Sequence, residues 1–478
     1  MRTHLLVLFI LFPIPTAISQ NTSTRLSGMG NLSIAVVDTE SEAFANPAKA
    51  SWIGTGLVRL NPYYFGASND FSENQYPGTS GNAPSTTSSS ISNTQYGMPI
   101  GIIIPVSSFR LGAAASAQRM TNHQEDNSWT GGTYPSSTKS TYDTKSPLTS
   151  LDLLASVDFG WGSVGGIGSW SGSKTENGSR TEYPTSSPAT YYETLYTDNE
   201  SDHSYGLGAL FGSMQTAQIS FTMTMEGYHE ESKPTRAVYS GVVQDLSQPD
   251  VGLTAGTNTR LMGEVRKSYA GNILAGVTIS YSNASIDQSE KYTWYDMGVY
   301  VPTYEERKTG RSSIDEYRFG AGLSKSIEGG GLFSIEYVYE PYKSHDESYH
   351  TSGGIYPDGR LYNYGDVSST NETKATIQEI RIGAEIEITP ELTARGGLEV
   401  MWVNYGYNSR SAYYSETSDL NGATDATYYG AGGFSYSLGS IRIDYSFGMV
   451  PYDWSSLQYG IQSRDIVLQH SATVSFQF

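Results

Sequence analysis

The sequence predicts an all-β protein, a transmembrane antiparallel β-barrel of about 14 to 16 strands with long extracellular loops. Three observations carry this reading. The chain opens on a secretory leader, its strand-length runs alternate apolar and polar residues, and its connections alternate between tight turns and long polar stretches.

The leader reads "MRTHLLVLFILFPIPTAIS", with Arg2 and His4 ahead of an apolar run from Leu5 to Phe12 and a small-residue cleavage signal at Ala17-Ile18-Ser19. The run is too short, and too interrupted by Pro13 and Pro15, to span a bilayer, so residues 1–19 are expected to be removed as a signal peptide. After it, no stretch reaches the roughly 18 consecutive apolar residues of a transmembrane helix. Any later membrane span must be a strand.

Strand-like runs fall near 53–65, 95–105, 108–120, 148–160, 163–172, 203–213, 216–229, 259–269, 273–283, 314–326, 331–342, 375–388, 391–405, 427–438, 440–452 and 466–478. One hairpin could extend beyond the membrane, which leaves fourteen open. In "IQEIRIGAEIEI" (377–388), Ile380, Ile382, Ala384, Ile386 and Ile388 share one face, opposite Glu379, Arg381, Glu385 and Glu387. The same split sets Leu151, Leu153 and Phe159 against Asp152 and Asp158, Phe333 and Ile335 against Glu336, and Ile441 and Ile443 against Arg442. A sheet with one apolar face needs a covering layer, and lipid tails supply it when no second sheet or helix does. Backbone groups inside lipid must all be paired, so the sheet closes.

Tight turns fall at 105–109, 160–163, 212–216, 270–272, 327–331, 389–391 and 438–440, while the other connections run to about 20 to 32 Ser-, Thr-, Asn- and Tyr-rich residues in most cases. Strict alternation puts every turn at one end of a sheet and every long loop at the other. Tyr-rich strand ends, "NPYYF" (61–65), "YVYEPY" (337–342), "MWVNYGY" (401–407) and "VPYDW" (450–454), suit an aromatic girdle near the long-loop rim. The chain ends "HSATVSFQF", and alternation up to Phe476 and a terminal Phe478 resembles the signal that outer-membrane proteins present to the barrel assembly machinery.

Composition removes whole classes of function. With no cysteine there is neither a disulfide framework nor a thiolate nucleophile or metal site. A net charge of -19 disfavours a nucleic-acid partner, which requires clustered Lys and Arg. "GWGSVG" (160–165) has the spacing of a dinucleotide loop, but a strand rather than a helix follows it. "HDESYH" (345–350) lacks the His spacing of a helical zinc site, so no metal or other cofactor is expected. The inward-facing Asp152, Asp158, Glu336, Glu379, Arg381, Glu385, Arg395, Glu399 and Arg442 are spread over many strands and read as a polar, ion-paired lumen rather than a catalytic set. No enzyme activity is expected.

The segment between leader and first strand, "RLSGMGNLSIAVVDTESEAFANPAKA" (25–50), resembles the N-terminal region of FadL/TodX-type outer-membrane transporters. The matching positions are Gly28, Met29 and Gly30, then Ala35, Val36, Asp38 and Ala43, then Asn46, Pro47 and Ala48. Lys49 departs from the family's usual Gly after the motif, and the Ala-rich stretch is only partly kept. The resemblance implies that residues 20–51 form a plug or hatch inside a barrel of residues 52–478, with Asn46-Pro47-Ala48 packed against the wall beside a side opening. "VVDTESEAFA" suits a short amphipathic helix there.

It also implies residence in the outer membrane of a diderm bacterium, among its lipids, and passive uptake of hydrophobic small molecules such as long-chain fatty acids. The alternative is a shuttle role like that of PorV-type secretion barrels, whose partners are secreted proteins. Leu154, Leu274, Leu332 and Val338 are the inward-facing apolar candidates for lining such a route. An apolar pocket beside the plug would favour uptake, and a filled lumen the shuttle.

Overall fold

In the computed structural model, residues 23–478 are described, apart from 28, 30, 76–84, 131–135, 184–189, 240–241, 244–250, 296–301, 351–353, 356–359, 412–416, 424–425 and 457–460. Residues 1–19, read as a signal peptide, lie outside the described residues, as do Gly28 and Gly30.

Sixteen antiparallel strands close into one barrel. β1 (Leu57–Leu60 and Tyr63–Gln75) and β2 (Ser85–Gly97 and Ile100–Val106) each run as two segments. They are followed by β3 (Phe109–Thr130), β4 (Ser136–Asp158), β5 (Gly162–Tyr183), β6 (Thr190–Ser213), β7 (Ala217–Tyr239) and β8 (Val251–Tyr269). The circuit continues through β9 (Ile273–Tyr295), β10 (Pro302–Ile327), β11 (Gly331–Tyr349), β12 (Val367–Glu387) and β13 (Leu392–Ser411). It ends with β14 (Thr427–Leu438), β15 (Ile441–Ser456) and β16 (Ile461–Gln477).

Each strand pairs with its sequence neighbours, and β1 closes the circle on β16 through Leu57 opposite Gln477 and Tyr63 opposite Ser471. All seven expected tight turns join strands at one end, where Gly160, Gly212, Gly271, Gly329, Gly330 and Gly439 take positive φ. Among the described residues no helix is long and apolar enough to cross a membrane, and the strands carry the span.

Burial follows the predicted alternation. Ser334, Glu336 and Val338 are buried inside, while Phe333, Ile335, Tyr337 and Tyr339 of the same strand are exposed outside. The outer face holds two aromatic levels. Phe159, Trp161 and Phe211 stack at the turn end, with ring centroids 5.9 and 6.0 Å apart, and Trp170 meets Tyr205 edge-on higher up. At about 3.3 Å per residue and a tilt near 40°, the run from Trp161 to Trp170 rises roughly 23 Å, the height of a membrane barrel's apolar band. The upper level corresponds to the girdle the sequence predicts, and Tyr64, Tyr337 and Tyr339 of the Tyr-rich stretches are exposed on the outer face. The lower one is additional. The side chains of 450–454 lie outside the described residues.

The long connections differ from expectation. β10 alone has 26 residues, more than twice the roughly ten a tilted spanning strand needs. Most of the polar stretches continue the ladders past the membrane, as where Thr130 still faces Ser136 and Tyr183 faces Thr190. Outside lipid both sheet faces meet water, so the apolar alternation lapses. Thr and Tyr nevertheless favour strands, and the paired backbone keeps the ladder. "HDESYH" accordingly starts on β11 rather than in a loop. His345 contacts Glu347 at 3.4 Å, and no group of His, Asp or Glu among the described residues could hold a metal ion.

Two prolines interrupt neighbouring strands at one height. Pro62 divides β1, Pro99 divides β2, and each lacks the N–H a ladder needs. The seam is bridged by Asn61 N–H donating to Pro99 O at 2.9 Å and Met98 N–H donating to Ala117 O at 3.0 Å.

Candidate functional site

The N-terminal segment folds as α1 (Thr24–Ser27), α2 (Thr39–Ala45) and a 3₁₀ turn over Pro47–Trp52. The short amphipathic helix expected within 36–45 is α2, which buries Ser41, Ala43 and Phe44. At its start Glu42, the fourth residue of the helix, reaches back to accept the Asp38 N–H at 3.0 Å, one position beyond the acid of a capping box.

Asn46-Pro47-Ala48 has a local logic: the Asn46 side chain accepts the Ala48 N–H at 3.1 Å, and Pro47 stands at the first position of the turn, where no N–H is needed. All three residues are buried. Ser163 of β5 donates to Ala48 O at 2.8 Å, and wall glycines make room for the motif. A Cβ on Gly165 would lie 2.6 Å from the Pro47 carbonyl carbon, and one on Gly208 would overlap Asn46 Oδ1. Replacing Gly208 by valine is expected to displace the motif and expose residues 46–52 to protease in the folded barrel. Cleavage mapped by mass spectrometry checks this, and unchanged protection would count against it.

Above the motif the segment is held by buried charge. The Glu336 carboxylate, 1% exposed, accepts three consecutive backbone N–H groups, from Ser33 at 2.9 Å, Ile34 at 2.6 Å and Ala35 at 2.9 Å. Arg266 donates to Ile34 O and Ser33 O, both at 2.9 Å, and to Glu42 at 2.8 Å. Lys49 lies 2.6 Å from Glu42 and 2.7 Å from Glu264. Arg25 donates to both oxygens of Glu385, at 2.9 and 3.0 Å. Asn31 donates to Glu399 at 2.9 Å and its carbonyl accepts from Arg381 at 3.0 Å. Residues of β5, β8, β11, β12 and β13 therefore contact one segment, which lies within the ring of strands.

Titration of the segment's own carboxyls has a definite sign. Burial would push Asp38 and Glu42 up, but it is outweighed at Asp38 by Arg59, the Ser23 and Ser41 hydrogen bonds and Arg25, and at Glu42 by Lys49 and Arg266. Both are held below the ordinary carboxylate value. A carboxyl depressed in the folded state gives stability that is complete above its unfolded pKa, about 4, and is lost as pH falls through the folded value. Glu40 acts in the opposite sense, because burial holds it above the ordinary value despite the Ser475 hydrogen bond. With two groups against one, strong acid is expected to loosen residues 38–49. Hydrogen exchange corrected for intrinsic rates at pH 7 and pH 3 checks it, and equal protection would contradict it.

The sequence-predicted residues take the following places. Met29 is fully buried against Leu32 and Val36, with Leu332 packed on them. Asp152, Glu336, Glu379, Arg381 and Arg395 are buried on the inner face. Arg381 pairs with Glu379 and reaches Glu399 at 3.4 Å, and Arg395 reaches Glu385 at 3.6 Å. Arg442 pairs with Asp444 at 2.9 Å. Asp158 differs, because it sits at the end of β4 and accepts the Gly160 N–H of the turn at 2.7 Å. Phe476 and Phe478 point outward and stack at 5.9 Å, while the Phe478 backbone pairs twice with Gly56 at 2.9 Å to seal β1 against β16.

Sequence reasoning missed Arg25, Glu42, Glu264 and Arg266. The strand "RLMGEVRKSY" did carry a signal: Glu264 and Arg266 share one face, opposite Leu261 and Val265. Lys49, directly after Asn46-Pro47-Ala48, was the other half of it.

No family model and no curated protein matches the chain. Solved structures do align along nearly its whole length. The P. putida toluene transporter TodX is 11% identical, covers 95% of this chain and 97% of its own, and gives a TM-score of 0.39. A Pseudomonas aeruginosa FadL homologue and the Ralstonia pickettii toluene transporter TbuX are each 11% identical, with 96% and 98% coverage and a TM-score of 0.40. In overall barrel architecture the chain is similar to these FadL- and TodX-type outer-membrane proteins.

Proposed function

We propose that the protein is a passive outer-membrane channel for hydrophobic small molecules, with residues 23–53 as a plug that closes it. One observation carries the reading. Phe44 of α2, with Ala43 and Ala50, covers an apolar patch on the inner wall made by Ile103, Ala114, Leu154 and Ile167. An aqueous pore has no use for such a patch, whereas a greasy solute gains by it, since each square ångström of apolar surface kept from water contributes about 25 cal/mol. The ties that hold the plug are ion pairs and hydrogen bonds, which can reform. The seam at Pro62 and Pro99 is the natural side exit, because two neighbouring strands there lack ladder donors.

Uptake is tested in proteoliposomes loaded with a fluorescent fatty-acid-binding protein, using a long-chain fatty acid as the solute. Entry faster than through a barrel with the plug cross-linked to the wall supports the channel. Equal entry rules it out.

A shuttle for secreted proteins has its own support. Five strands contact the segment, the cavity between Arg25, Asp38, Arg59 and Asp444 is polar and water-sized, and several strands project far above the membrane. A stoichiometric protein partner co-purifying from outer membranes, with no bound lipid, would favour this role.

A further inference from the structure

Most lumen carboxylates meet a cation: Glu264 meets Lys49, Glu385 meets Arg25, and Asp444 meets Arg395. One group does not. On the inner face of β6, Asp198, Glu200 and Asp202 follow one another at every second residue. Across the ladder on β7, Tyr228 faces Asp202 and Glu230 faces Glu200.

The donors that reach this group are neutral. Ser173 donates to Glu200 at 2.9 Å, Ser171 to Asp202 at 3.3 Å, Asn177 to Asp198, and the Tyr228 hydroxyl to Glu230. Among the described residues, Asp198, Glu200, Asp202 and Glu230 have no ion pair.

A buried hydroxyl without a partner, as at Ser169 on the neighbouring strand, lies beside this group. Ser204, 4% exposed, lies on the same inward face two residues below Asp202, and its hydroxyl has no partner among the described residues. One oxygen of Asp202 is likewise buried without a partner. A hydroxyl and a carboxylate oxygen left open in one place are what a donor-rich cation would fill.

The ladder's shape decides which cation. Carboxylates at alternate residues stand about 6.6 Å apart, which resembles the separation of two ammonium groups across a four-carbon spacer. They do not converge, and no group of three acids among the described residues could hold a metal ion. Tyr228 adds an aromatic ring at the same level.

We propose that this ladder, just above the outer aromatic level at Trp170 and Tyr205, binds a linear polyamine. The site lies on the wall away from the plug's polar ties, so it stands or falls independently of the uptake reading.

The test is calorimetric titration of the full-length protein in detergent with spermidine, for wild type, the double variant D202N/E230Q and the control D287N. Asp287 is a half-exposed acid on β9 that pairs with Lys308. Each lost charge-assisted hydrogen bond weakens binding roughly tenfold, so the double variant should lose about a hundredfold while D287N stays unchanged. Heat-modifiable migration in electrophoresis shows that the variants are folded. No saturable heat with wild type, undiminished binding by the folded double variant, or displacement of spermidine by equimolar calcium would each overturn the proposal.

Discussion

Replacing Glu336 by leucine is expected to release the N-terminal segment from the wall while leaving the barrel closed. The wild-type carboxylate satisfies the N–H groups of Ser33, Ile34 and Ala35 at one buried point. Leucine fills much of the space but accepts nothing, so three donors lose their partner together. Leaving a buried donor unsatisfied costs about 1–3 kcal/mol, and three such losses exceed what the small apolar contact of Met29, Leu32 and Val36 can offset. Arg266, 2% exposed on its side chain, would also lose a nearby counter-charge.

Glutamine at 336 keeps one acceptor oxygen but turns an amide N–H₂ toward the same donors, and should fall between the two. Two measurements check this: protease mapping of residues 31–38 in the folded barrel, and single-channel conductance in a planar bilayer. Wild type should be protected and quiet, and E336L cleaved and open. Protection of the leucine variant equal to wild type would show that the three hydrogen bonds do not hold the segment.

The wall was legible because lipid imposes a simple rule on it. Every outward residue between the two aromatic levels must be apolar and every ladder must pair, so the period of two in 377–388 or 331–342 reads directly as a face. The same rule ends at the membrane surface, which is why the Ser- and Thr-rich continuation of β3 into β4 reads as loop although it is ladder.

Asn46, Pro47 and Ala48 were legible as a group because a capping side chain and an imino acid at the first position of a turn are a local device, complete within three residues. The partners of that motif were not. Gly165 and Gly208 lie more than a hundred residues away, and nothing in a strand's own alternation separates a glycine that admits a neighbour from one that only loosens the sheet. Arg25, Glu264 and Arg266 escaped for the same reason, since an ion pair between a segment and a distant strand leaves no period behind. What the sequence did show was an excess of inward charge, which is the trace of something polar inside.

Lys49 supplies the sharpest test of that trace. Its ammonium, 3% exposed, lies between Glu42 and Glu264, and Arg266 completes a neutral set of two cations and two anions, at 2.5 Å from Glu264. Lys49→Gly removes one cation and leaves the buried set with a net negative charge. Breaking a buried pair in this way costs about 3–5 kcal/mol, most of it the cost of an uncompensated ion rather than the lost attraction. Glu264→Gln alone leaves the opposite imbalance.

The double variant K49G/E264Q restores neutrality, with Arg266 and Glu42 still paired at 2.8 Å, and should therefore recover much of the loss. A coupling of about 2–3 kcal/mol in the cycle is expected, of the size found for contacting residues in one network. Hydrogen exchange over residues 39–52 reads it, because local opening of this segment sets its protection even when the barrel stays folded. Strictly additive losses in the two single variants would mean that Lys49 and Glu264 act separately, and that their pairing has no part in seating the segment.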